Sequence, residues 1–175
     1  MFAWLKYWLS SWLEMCFLKR APQNDPVSSS AMILAFTLFT PIKYLLAVVT
    51  SGSRVALGVM TIDFLIMIAM LLFTLVLTYR TNRLQQSLTA MAGTGVVTGV
   101  VALPLVQVMM ASLHNDQIPV LIAVAWLLLA VWSVVVRAHI YRHALSVSFI
   151  VGVGLAIVHG IIVYSVVEQF YPTAE

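Results

Sequence analysis

The chain has 175 residues, of which 62% are hydrophobic and 9% charged, with a formal net charge of +3. A soluble domain carries about a quarter of its residues as charge, so this composition excludes a water-surrounded fold and points to an integral membrane protein. No basic run of the kind that neutralises phosphates is present, which argues against a nucleic-acid partner, and the single cysteine, Cys16, excludes an intrachain disulfide or a multi-cysteine metal site.

The chain opens with "MFAWLKYWLSSWLEMCFLKR". Glu14 in its middle, bulky aromatics throughout and the lack of a small-residue cleavage site argue against a signal peptide, so the segment is expected to be retained. Read as a helix, Lys6, Ser10 and Glu14 fall at spacing four with Ser11 beside them, and apolar side chains cover the rest. That pattern predicts an amphipathic helix over residues 1–20 lying in the membrane interface, with Trp4, Trp8 and Trp12 against lipid. Lys19 and Arg20 suit its carboxyl-terminal dipole and anionic headgroups. Cys16 reads as a small apolar residue on a greasy face. Residues 21–30, with two prolines, read as a hinge.

A five-helix transmembrane domain follows over residues 31–167, with spans near 29–50, 55–79, 88–113, 118–136 and 144–167, and a short tail over 168–175. Each span has about the 20 residues a bilayer core requires, and the runs are continuous, not alternating, which excludes a closed barrel. Pro41 breaks the first span and Pro104 lies inside the third. The short connections predict antiparallel sequential neighbours. The fold class is therefore an all-α integral membrane protein, five transmembrane helices preceded by an amphipathic interfacial helix.

Lys6, Lys19, Arg20, Arg80, Arg83, Arg137 and Arg142 fall on one side of this arrangement, and Arg54, Asp116, Glu168 and Glu175 on the other. The bias predicts a multi-pass protein of the cell (inner) membrane with the amino terminus cytoplasmic and the carboxyl terminus outside. Arg137 and Arg142 read as contacts to lipid headgroups. His139 and His143 share a helix face beside them, but no nearby carboxylate completes a metal site.

Small residues mark two packing seams: Gly95 and Gly99 in the third span, and Gly152, Ala156 and Gly160 in the fifth. Such residues let backbones approach where lipid supplies no hydrophobic drive between helices, either within the protomer or toward a partner. Four polar residues sit inside the spans. At 1.5 Å per residue, Lys43 and His159 lie on the order of 20 Å from the basic end, Asp63 on the order of 25 Å and Gln107 roughly 30 Å. They form a candidate intramembrane polar layer. Three readings stand open: a structural Lys43–Asp63 ion pair, an outer interfacial elbow with a snorkelling lysine, or a relay with His159.

No metal-ligand spacing, glycine-rich phosphate loop or GxSxG motif is present, so the expectation is a non-enzyme without cofactor. The stretches "NRLQQSLTAMAGTGVVTGVVALPL" and "WSVVVRAHIYRHALSVSFIVGVGLAIV" pair basic loops with small-residue spans. With the short cytoplasmic segment, the linked spans and an outside carboxyl end, this layout resembles the Yip-domain membrane protein family over about residues 31–167. Eukaryotic members carry a longer cytosolic amino-terminal region, so their trafficking role through small GTPases is not carried over. The resemblance to bacterial members implies a small inner-membrane protein acting by association, and no catalytic residue. The first functional expectation is thus an accessory subunit, scaffold or membrane-shaping protein, whose partners are the lipid bilayer and a membrane protein or second copy. The alternative is a small proton- or ion-coupled transporter or channel using the polar layer.

Overall fold

A computed structural model describes residues 2–114 and 119–171. Helix α1 spans Phe2–Cys16, α2 Ser29–Ser51, α3 Ala56–Leu77, α4 Leu84–His114, α5 Val120–Leu145 and α6 Phe149–Phe170, with single 3-10 turns at Pro22–Asn24 and Thr81–Arg83. Helices α2 to α6 are each long and apolar enough to cross a membrane. The chain is a multi-pass membrane protein. Asp116 and residues 172–175 of the predicted tail, Glu175 among them, lie outside the described residues; α6 itself runs on to Phe170.

Local chemistry sets the helix ends. Ser28 and Ser148 cap α2 and α6, each hydroxyl accepting the backbone N–H three residues on. Gly52 closes α2 at a φ of 83°, where glycine carries no Cβ penalty. Pro41 and Pro104 sit within continuous helices, so Pro41 does not break the first span. Helix α5 does not end at residue 136: it continues through "RAHIYRH" to Leu145. Its final turns bury Ala138, Ile140, Tyr141, Ala144 and Leu145, a helical period that holds them against the bundle.

One end of the bundle is tied by basic side chains. Arg83 donates to the carbonyls of His143 (2.9 Å) and Ala144 (3.3 Å), and Arg80 donates to Ser146 Oγ (2.7 Å). Arg83 thus satisfies two of the last carbonyls of α5, and both cations suit its dipole. The buried core is concentrated toward this end. Toward the other end α5 leaves Leu121, Leu127 and Leu128 exposed.

The broadest interface is not between sequential helices but between α2 and α4. Ala31, Ala35 and Phe39 of α2 are buried there. A Cβ at Gly95 would overlap the Phe39 ring, and one at Gly99 would overlap Ile42. Gly152 of α6 lies against the Ala138 carbonyl of α5, and Ala156 is buried beside it. Gly160, the last member of that row, has nothing within 4 Å of a Cβ position. The seam is intramolecular over its first two members and uncovered at the third.

Helix α1 departs from its predicted placement. Trp8 and Trp12 do not face lipid: they are 2% and 0% exposed. Trp12 packs on Gly93 of α4, and Trp132 of α5 donates its indole N–H to the Cys16 carbonyl at 2.9 Å. Trp4 remains exposed, as do Phe2, Leu13 and Phe17. The helix is thus docked on the bundle along one apolar face and leaves a second exposed. Residues 21–30 are a fastened turn, not a free hinge. Buried Asp25 accepts from Ser11 Oγ (2.5 Å) and Tyr7 OH (3.1 Å) and pairs with Arg20 at 2.8 Å. Arg20 also pairs with Glu14, so it is committed to protein and not to headgroups. Burial works against the charge on Arg20, but Asp25, Glu14 and Tyr7 outweigh it and hold the guanidinium pKa above its ordinary value.

Candidate functional site: a charged cavity in the bundle

The polar residues of the spans are placed by α2, α3, α5 and α6. Lys43 follows Phe39 by one helical turn on α2, and its ammonium sits 5.5 Å from the centre of that ring. Asp63 faces it from α3 with 2.5 Å between Nζ and Oδ2. Helix α2 runs unbroken past Lys43 to Ser51, so the two charges meet between adjacent helices, not at the ends of an elbow. Pairing offsets the cost that each charge would carry alone in an apolar bundle.

The pair stands where two chambers meet. The nearer to the basic end, about 240 Å³, reaches α4 at Thr94, Gly95 and Thr98 and includes His159. The farther, about 480 Å³, runs toward the opposite end past Val59, Met60, Gly160 and Val167. Lys43, Leu46, Asp63, Arg137 and Trp126 line both. The open Cβ position at Gly160 is part of the far chamber's wall.

Arg137 is the residue that the sequence reading placed elsewhere. It was expected at a cytoplasmic headgroup, because 137–143 read as a loop. The extension of α5 carries it into the bundle, where its charge acts on Asp63. Among the described residues its guanidinium makes no hydrogen bond or ion pair. The signal that could have found it is the spacing of Ala138, Tyr141 and Leu145, which extends the helical period past the arginine. Arg142 and Lys19 are exposed near the basic end.

His159 is 2% exposed. Its Nδ1 lies 3.3 Å from the Tyr141 hydroxyl, and its Nε2 has no partner among the described residues. Gln107 does not join the layer: it is exposed on α4 and lines neither chamber. The hydroxyls of Thr94, Thr98 and Ser133 face the near chamber, but each donates to a carbonyl of its own helix. They therefore offer a ligand only acceptor lone pairs. The other histidine pair is engaged by the amino-terminal segment. His139 Nε2 meets the Arg20 carbonyl at 2.9 Å and His143 Nδ1 meets Gln23 at 3.4 Å.

No protein-family model, no curated protein and no solved structure matches the chain.

Proposed function

We propose that this is a multi-pass protein of the inner membrane, amino terminus cytoplasmic and carboxyl terminus outside, that binds a small charged solute in its polar layer and passes it through the bundle. The observation that carries the reading is the convergence of Lys43, Asp63 and Arg137 on a cavity between apolar helices. Ionisable groups in spans are costly and mark solute paths when they face an interior cavity. The excess of lysine and arginine at one end supports the orientation. In proteoliposomes, the wild-type protein should carry ion or solute flux above that of empty vesicles, and Asp63→Asn should remove it while the helix content stays. Wild-type flux equal to that of empty vesicles sinks the reading.

A second reading, an accessory subunit or scaffold acting by association, is favoured by the uncovered end of the α6 seam. A row of small residues that continues past its intramolecular partner offers Gly160 to another helix. Gentle extraction should then recover a stoichiometric partner or a homo-oligomer, and Gly160→Leu should dissociate it. A partner retained by Gly160→Leu counts against this reading.

A further inference from the structure

We infer that the junction of the two chambers is a seat for an organic monoanion with an apolar body, its charged group held by Arg137 and by Nε2–H of His159. The inference rests on the solute-binding reading and names the solute class. Its first support is charge. Lys43 and Asp63 neutralise one another, which leaves the Arg137 guanidinium as an excess positive charge inside the bundle. An unpaired cation there is costly, and one negative charge brought by a ligand balances it. A guanidinium presents a planar fork of donors that matches a carboxylate or phosphate with two parallel hydrogen bonds. A cationic solute would meet two cations and a carboxylate already taken.

The second support is independent. The Tyr141 hydroxyl has His159 Nδ1 as its neighbour at 3.3 Å. A hydroxyl donating to Nδ1 places the imidazole proton on Nε2. That nitrogen is buried, has no partner among the described residues and belongs to a residue lining the near chamber. A buried N–H without an acceptor carries a desolvation cost that an anionic oxygen removes. The far chamber supplies the rest of the selectivity. Beyond the charged junction its walls are mainly apolar, with Val59, Met60, Val163 and Val167 among them. They suit a hydrocarbon body and give a small hydrated anion such as chloride nothing to bind.

An anionic head on an apolar body describes both a free organic acid and a membrane lipid. The test separates them. Protein in phosphatidylcholine nanodiscs is titrated calorimetrically with octanoate, octylammonium and octanol, with empty nanodiscs subtracted. Native mass spectrometry of the purified protein reads any retained lipid. Octanoate should saturate while octylammonium and octanol do not. Arg137→Gln should weaken octanoate about tenfold or more, as expected for loss of a charge-assisted hydrogen bond, and Arg137→Lys should lose less. An anionic lipid retained by the wild type and lost in Arg137→Gln assigns the site to lipid; octanoate binding without retained lipid assigns it to a free acid. Octanol or octylammonium binding as well as octanoate overturns the anion seat and leaves the solute-binding reading standing. Octanoate binding that Arg137→Gln leaves unchanged does the same. Failure of all three probes with no retained lipid, while flux is intact, overturns the seat alone. The same failure without flux overturns both. The ligand preference is read on the wild-type protein, so it does not depend on any variant folding.

Discussion

Trp12 of α1 occupies the space that a side chain at Gly93 of α4 would fill. The indole is fully buried, and the same helix presents Cys16, 1% exposed, to the Thr94 carbonyl one residue further along α4. The amino-terminal helix is therefore a sixth member of the bundle. A branched side chain at Gly93 overpacks this contact, at a cost of about 2 kcal/mol. Gly93→Val should lift α1 from α4. Maleimide labelling of Cys16, the single cysteine, checks it: slow in the wild type, fast in the variant.

The labelling has its own pH dependence. Burial pushes the Cys16 thiol up to about 12. The thiolate is the reactive form, so at neutral pH only a minute fraction reacts. The wild-type rate with a thiol reagent should climb about tenfold per pH unit from pH 7 to 10, without the plateau that a free thiol shows near its ordinary pKa of about 8.5. A plateau near that value would show that Cys16 is open to water.

Asp25 gathers Ser11, Tyr7 and Arg20 at the turn after α1. Its own backbone carbonyl accepts from Gln86 of α4 at 2.6 Å. The carboxylate thus ties the start of the chain to the bundle. Asp25→Ala leaves two hydroxyls without their acceptor and takes from Arg20 the closer of its two carboxylate partners, and should cost about 2–3 kcal/mol, since Arg20 keeps Glu14 and some access to water. Thermal unfolding in mild detergent measures the loss. Ser11→Ala should cost less, because one neutral donor is removed and the ion pair remains.

Helix α1 and Arg137 show how much of this architecture was legible in the sequence. The long apolar runs identify the helices because lipid demands unbroken hydrogen-bonded segments. Lys43, Asp63 and His159 could be assigned to one layer because helical rise converts residue number into depth. The contacts of α1 could not be read in this way. Protein and lipid are both apolar, so the pattern on α1 does not distinguish the face that buries Trp8 and Trp12 from the one that exposes Phe2 and Leu13. Arg137 was obscured by a different effect. Its neighbours Arg142, His139 and His143 lower the local hydropathy, so the span seemed to stop where the helix only became more polar.

The α6 row of small residues contains its own control. Gly152 abuts the Ala138 backbone, which cannot move aside as a flexible side chain can. Gly152→Ala should destabilise the α5–α6 pair by about 2–3 kcal/mol. Gly160→Ala meets no neighbour and should raise stability by about 0.5–1 kcal/mol, because alanine loses less backbone entropy in a helix. Thermal unfolding of the two variants should therefore shift in opposite directions. Shifts in the same direction would show that α6 packs in another register.

Reversing the ion pair tests whether the polar layer is a pair or a cluster. Lys43→Asp alone opposes two carboxylates, and Asp63→Lys alone gathers three cations with Arg137. Each should cost about 3–5 kcal/mol, the range for stranding a buried charge. Combining them restores one cation opposite one anion, and an isolated pair would recover fully. Recovery should instead be partial, because Arg137 acts on position 63 and favours a carboxylate there over an ammonium. Unfolding midpoints of the two single variants and the double variant, each with Arg137 and with Arg137→Gln, form the cycle that resolves this. With glutamine at 137 the reversed pair should approach the stability of the native pair. Full recovery with Arg137 present would mean that the arginine is not coupled to Asp63.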